Sequence, residues 1–162
     1  MTGAIVWFTG LPASGKTTLA LRVRDRVLPR TAVVLDSDEL REVLGTSDYS
    51  AGGRDQFYRS VGELAMLLER QGHLVLVAAT GARRAYRDAV RARSAHFLEV
   101  WVRATAAECE ARDRKGLYTR ARAGAAPDLP GLGATYEPPR SPEVIATGGH
   151  DDVAIDAILA RL

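Results

Sequence analysis

Residues Gly10, Leu11, Pro12, Ala13, Ser14, Gly15, Lys16 and Thr17 match the pattern GxxxxGK[ST] in full, the signature of a loop that cradles the phosphates of a nucleoside triphosphate. The chemistry requires these residue types in this order. Glycines let the backbone curl around phosphate oxygens, and the loop amides and the N-terminus of the following helix point at them. The Lys16 ammonium then reaches the β- and γ-oxygens, and the Thr17 hydroxyl is placed to ligate Mg2+. Lys16 and Lys115 are the only lysines beside twenty arginines. A chain so biased towards arginine keeps lysine where a compact ammonium is needed rather than a planar fork.

Two carboxylates, Asp36 and Asp38, close the apolar run that ends at Leu35. At a strand end both can reach the cleft that the phosphate loop faces. One can hold the water shell of Mg2+, and the other can orient or deprotonate an acceptor hydroxyl. The competing reading is a helix N-cap, with Ser37 or Asp38 capping a helix through Glu39, Leu40 and Arg41; the two are compatible. Arginines gather after the strand ends at Arg41, Arg54, Arg59, Arg83, Arg84 and Arg87. Helix arginines are commonly just solvated, but Arg41, Arg54 and Arg84 lie nearest strand ends and glycines, where a bidentate fork suits an anionic acceptor. His73, His96, His150 and Cys109 have no metal-ligand spacing, which argues against zinc. No Asn-Lys-x-Asp and no DxxG follows the loop, which argues against a signalling GTPase.

These side chains need a scaffold, and the hydrophobic pattern predicts one. Strands are expected at Ala4–Thr9, Ala32–Leu35, Leu74–Ala79, Phe97–Val102 and Val144–Ala146, all near-continuous apolar runs of the kind buried on both faces of a parallel sheet. Helices are expected between them: from Thr17 onward, over Arg54–Arg70 with apolar residues at helical spacing, over Arg84–Arg93 and Thr105–Arg112, and finally over Asp152–Leu162. Strand and helix alternating in this way predict an α/β fold: three layers, five parallel strands with helices on both faces, and ligands at the carboxyl ends of the strands. The stretch between Lys115 and Pro142 breaks the pattern. It is dense in glycine and proline, with a short helix expected at Tyr118–Ala123 and packing groups at Leu117, Tyr118 and Tyr136. A segment this long inside a small domain reads as a lid, which suits phosphoryl transfer shielded from water.

Length and composition bound the rest. The 162 residues suit one domain, and a net charge of +2 with acids and bases interleaved gives no footprint for nucleic acid. A lone cysteine excludes an internal disulfide. No apolar run approaches membrane-spanning length. The chain opens straight into its first strand, leaving no room for a signal peptide, so a cytoplasmic location is expected.

Several strings now combine. The phosphate loop with Thr18, Leu19 and Ala20 precedes Leu35-Asp36-Ser37-Asp38-Glu39-Leu40-Arg41 and Gly62-Glu63-Leu64-Ala65. Cys109-Glu110-Ala111-Arg112-Asp113-Arg114-Lys115-Gly116-Leu117-Tyr118 follows, with Ala121-Arg122-Ala123-Gly124, Tyr136-Glu137-Pro138-Pro139 and Pro142-Glu143. In order and spacing, over nearly the whole chain, these strings resemble the adenylyl-sulfate (APS) kinase family. The resemblance implies a P-loop kinase of sulfate assimilation that uses ATP and Mg2+ to phosphorylate the ribose 3′-hydroxyl of APS, a lid over approximately 114–142, and a homodimer. It implies Lys16, Asp36, Asp38 and Lys115 as catalytic groups, Thr17 and Asp36 at the metal, and Arg112 beside the ATP base. The acceptor would meet Asp38, Arg41, Tyr49, Arg54, Phe57, Arg59, Thr80, Gly81, Arg84, Lys115, Leu117 and Leu129.

The acceptor half departs from the family pattern. Where the family has FSxxDRxxNxRR, this chain keeps an aromatic as Tyr49 and keeps Arg54 and Arg59, but carries Gly53 for Asp and Phe57 for Asn. Where the family has FISPYR, it reads Ala79-Thr80-Gly81-Ala82-Arg83-Arg84, and Leu129 stands at the lid aromatic. Losing an amide hydrogen bond and a stacking platform costs on the order of 1–3 kcal/mol each. Weak use of APS is therefore expected, or an anionic acceptor of another kind, such as a cytidine-diphosphate derivative. Two further alternatives stay open: a related kinase of sugar acids or antibiotics, and a nucleotide-binding regulatory module without catalysis.

Overall fold

Five apolar runs form five parallel strands: β1 (Ala4–Thr9), β2 (Ala32–Asp36), β3 (Leu74–Ala78), β4 (Phe97–Val102) and β5 (Val144–Ala146), in the order β2-β3-β1-β4-β5. The computed structural model describes residues 2–125, 129–132 and 134–162. Parallel neighbours need long crossovers, and helices supply them: α1 (Lys16–Arg26), α2 (Ser37–Leu44), α3 (Ala51–Arg70), α4 (Arg84–Arg91), α5 (Ala106–Ala111) and α6 (Leu117–Arg122), with α7 (Asp152–Leu159) closing the chain.

Side chains alternate across a strand, so β1 feeds two cores. Ala4, Val6 and Phe8 pack with Leu19, Val23, Ile155 and Ile158 beneath α1 and α7. Ile5 and Trp7 pack with Phe57, Val61, Ala65 and Val90 beneath α3 and α4. Each strand of the central pair β1–β3 is buried along its whole length, which is why these segments read as unbroken hydrophobic runs.

The expected element ends move by a few residues. The helix expected from Arg54 begins at Ala51, because the Ser50 hydroxyl caps it by accepting the Gly53 amide at 3.1 Å. The last helix ends at Leu159 rather than Leu162, and the helix expected over Arg84–Arg93 stops at Arg91. The N-cap of α2 is Asp36, not Ser37 or Asp38: its Oδ1 accepts the amides of Asp38 at 2.9 Å and Glu39 at 3.2 Å. The segment expected as a lid is less open than its glycines and prolines suggest. Tyr118 and Leu129 form a small core with Cys109, against which Leu11, Ala13 and Leu117 pack.

Candidate functional site

The site lies where β1, β2 and β3 end. After Thr9 the chain turns through residues 10–15, with the Ser14 amide donating to the Leu11 carbonyl at 3.1 Å, and enters α1 at Lys16. Gly15 has a φ of 101°, and a Cβ there would lie 2.5 Å from the Gly149 amide nitrogen. Only glycine permits both the left-handed backbone and this close approach. The loop after β5 thereby sits against the helix N-terminus, with Gly148 beside Arg112.

Lys16 is only 9% exposed, and its Nζ donates to the carbonyls of Gly10 at 3.1 Å and Leu11 at 2.8 Å. Burial, the largest cause, pushes its ammonium down to about 8, while Cys109, Asp38 and Asp36 oppose the shift and Lys115 adds to it. The Ser14 hydroxyl is buried without a hydrogen-bond partner. A buried hydroxyl without a partner, on the loop that opens into the N-terminus of α1, fits an anionic ligand that completes its bonding.

The two aspartates have separate surroundings. Asp36 is buried; beyond capping α2, its Oδ2 accepts a hydrogen bond from the Thr17 hydroxyl. Asp38 stands two residues on, in the first turn of α2, its side chain 63% exposed, and pairs with the Lys115 ammonium from the turn between α5 and α6. The Asp38 carboxylate holds the Lys115 pKa above its ordinary value. The short helix α6 docks on the phosphate loop, with the Tyr118 hydroxyl donating to the Pro12 carbonyl at 2.9 Å.

Across the cleft, Arg41 is buried with its guanidinium 3.9 Å from the centre of the Phe57 ring and 4.2 Å from that of Tyr49. Tyr58 stacks on Tyr86 at 4.6 Å and accepts the Gly81 amide at 3.1 Å. The whole cleft encloses about 1490 Å³, more than the ~300–1,000 Å³ usual for one small ligand and ample for two substrates end to end.

Most of the expected residues meet here. Pro12, Ala13, Gly15, Lys16, Thr17, Thr18, Asp36, Asp38 and Arg112 line the cleft, as do Arg41, Tyr49, Arg54, Thr80, Lys115, Leu117 and Leu129. Four acceptor-side expectations fall outside the lining. Phe57 is turned into the core and supports Arg41 from beneath, Arg59 is exposed on α3, and Gly81 lies behind Thr80. Arg84 is engaged elsewhere, donating its amide to Glu137 and its Nη1 to the Pro138 carbonyl. Tyr58, Gly149 and His150 line the cleft and were not expected there. The spacing of Tyr58 from Arg54, four residues along one helix, was the available signal. Among the described residues no group of three or more His, Cys, Asp or Glu is arranged to hold a metal ion.

The sequence profile described as "Adenylylsulphate kinase" matches residues 2–147. The adenylyl-sulfate kinase of Synechococcus sp. (strain JA-3-3Ab) is 40% identical over 165 residues, covering 99% of this chain and 94% of that protein. That of Citrobacter koseri is 42% identical over 151 residues, covering 90% and 75%. Among solved structures, the Mycobacterium tuberculosis APS kinase CysC in complex with AMPPNP and APS superposes with a TM-score of 0.89 at 35% identity, covering 98% of this chain and 96% of that one. Shikimate kinase from Acinetobacter baumannii shares the fold alone, at a TM-score of 0.59 and 19% identity.

Proposed function

The chain belongs to the adenylylsulphate kinase family, and from that premise we propose that it transfers the γ-phosphoryl group of ATP to the 3′-hydroxyl of adenylyl sulfate, in sulfate assimilation. The observation that carries this reading is the convergence of the phosphate loop, Asp36, Asp38 and Lys115 on one cleft large enough for both substrates. Phosphoryl transfer asks little covalent chemistry of a protein; positioning and charge stabilisation do most of the work.

The roles follow from the surroundings. The loop amides, the Ser14 hydroxyl and Lys16 hold the triphosphate, with Arg112 beside the base. Mg2+ is the implied metal. The Thr17 hydroxyl and Asp36 carboxylate, already in contact, are the hard oxygen donors that such an ion takes singly or in pairs, leaving the rest of its shell to phosphate and water. A metal ion held there would neutralise charge on the phosphates. Asp38 is free of capping duty and more exposed, so it orients the acceptor hydroxyl and takes up its proton. Lys115 reaches Asp38 from the lid over approximately 114–142, and follows the transferred charge. Arg41 and Arg54 hold the acceptor's anionic groups.

The protein is further read as one domain over 1–162, acting in the cytoplasm as a homodimer. No described helix is long and apolar enough to cross a membrane. Sedimentation of the purified protein decides the dimer.

A coupled assay decides the acceptor. ADP release with ATP that depends on adenylyl sulfate, with a phosphorylated 3′-position in the product, is the expected result. A second reading rests on Arg41, whose guanidinium covers a face of both Tyr49 and Phe57 and leaves less aromatic surface for a base. On that reading, a cytidine-diphosphate derivative or another anionic acceptor saturates at lower concentration than adenylyl sulfate.

A further inference from the structure

Arg87, on α4, is 1% exposed and takes no part in the chemistry above. Its guanidinium bonds in three directions. Nε donates to Glu99 Oε1 on β4 at 2.6 Å, Nη1 donates to the Gly81 carbonyl, and Nη2 donates to the Glu137 carbonyl at 2.7 Å. Those three partners belong to a central strand, the turn after β3, and the segment by which the lid returns to the sheet.

Around this fork the same two segments are joined again. The Glu137 amide donates to the Ala82 carbonyl at 2.8 Å, and Glu137 Oε2 accepts the Arg84 amide at 2.7 Å. The Tyr136 ring lies 5.8 Å from the Arg87 guanidinium, and its hydroxyl is 2.9 Å from that of Thr9, which donates to the Thr80 carbonyl at 2.6 Å. Behind them Arg91 bridges Glu99 and Glu143, and Glu143 Oε2 accepts the Glu99 amide at 2.6 Å. Thr80 lines the cleft, and Tyr58 holds Gly81 from the other side.

A buried ion pair is weak evidence for stability, since an apolar pair of similar volume often serves as well. What no apolar pair can do, and no lysine either, is hold two carbonyls from different segments in one rigid plane. We propose that Arg87 is a positioning residue: it fixes the returning end of the lid and the turn over 80–84 as one unit, so that the acceptor meets a wall set before it binds. This rests on the reading of the cleft as a kinase site with its acceptor beside Thr80.

Two variants separate fork from charge. Arg87→Lys keeps a cation for Glu99 but cannot span both carbonyls, whereas Glu99→Gln weakens the ion pair and leaves the fork in place. Hydrogen exchange over 79–87 and 134–140 reads the clamp, with 10–18 as the internal control. In Arg87→Lys, the amides of Arg84 and Glu137 should exchange at least about tenfold faster while the control is unchanged. Its KM for adenylyl sulfate should rise about tenfold, with KM for ATP within about twofold. Glu99→Gln should lower the thermal midpoint but leave the ratio of the two KM values as in wild type. Should Arg87→Lys fail to fold, Glu137→Ala, which removes the side-chain acceptor of the Arg84 amide and keeps the backbone carbonyl that Arg87 bonds, should show the same split to a smaller degree. Unchanged exchange, or two KM values that move together, would overturn the proposal. A wild type that ignores adenylyl sulfate overturns the reading of the acceptor instead, and the exchange comparison then decides the clamp alone.

Discussion

On the nucleotide side of the cleft most of the bonds that shape the loop close within six residues, Lys16 to Gly10 and Leu11 and Ser14 to Leu11, with Tyr118 to Pro12 the long-range one. On the acceptor side they run between distant parts of the chain. Tyr58 meets Gly81 across 23 residues, Arg87 meets Glu137 across 50, and Thr9 meets Thr80 across 71. On the proposed reading, triphosphate binding is thus largely a local property of one turn and one helix start, while acceptor binding depends on how α3, the turn after β3 and the segment over 134–140 are held together. Changes confined to one side should leave the other working, and this separation can be tested.

The largest effect is expected from Lys16→Ala. It removes the cation that, on the proposed reading, offsets charge on the transferred phosphoryl group, and turnover should fall by about 10²–10³-fold or more. Lys16 opens α1 and buries an unfavourable charge, so the thermal midpoint should not drop; circular dichroism checks this. A variant that keeps more than about a tenth of the wild-type rate breaks the assignment of the loop.

Next comes Asp38→Asn. On the proposed reading the carboxylate faces the acceptor, so kcat should fall about 10²-fold while ATP affinity holds. The reverse outcome, with weaker ATP binding and an unchanged kcat, would move Asp38 to the metal and erase the division of labour with Asp36. Arg41→Ala should act on the acceptor alone, raising its KM about tenfold or more through loss of one charge-assisted contact.

A gentler probe is pH. The Lys16 ammonium is charged below about 8 and neutral above it, so ATP affinity should weaken as pH rises through 8. A Lys16→Met variant should bind ATP poorly at every pH. Folding stability moves the opposite way. The unfolded chain keeps the ordinary lysine value of 10.5 and binds a proton, between 8 and 10.5, that the folded chain has released; this group's contribution to stability therefore rises across that window. Titration calorimetry from pH 7 to 9.5 checks the first statement and chemical denaturation the second. The smallest effect is expected from Tyr118→Phe, which removes one hydrogen bond to Pro12. It should cost about 1 kcal/mol of stability and leave both KM values within a few-fold.

The sequence by itself determined the parts whose physics is local. The phosphate loop is a short pattern with a mechanism, and the five strands were legible because burial on both faces leaves unbroken apolar runs. The Asp36–Asp38 pair was visible too, but not which of them caps α2: that depends on the direction each carboxylate takes at the strand end. Tertiary structure decided what the sequence left open on the acceptor side. Phe57 became a support for Arg41 because its face of α3 is turned to the core. Arg84, read as an anion binder, became a tie to the lid return. Arg87 stood in the arginine cluster of the sequence, but nothing marked it as a buried tie, since its three partners lie 6, 12 and 50 residues away. Spacing along a chain reports neighbours within a turn or a strand; a guanidinium buried between distant segments is specified only when the fold brings its acceptors together.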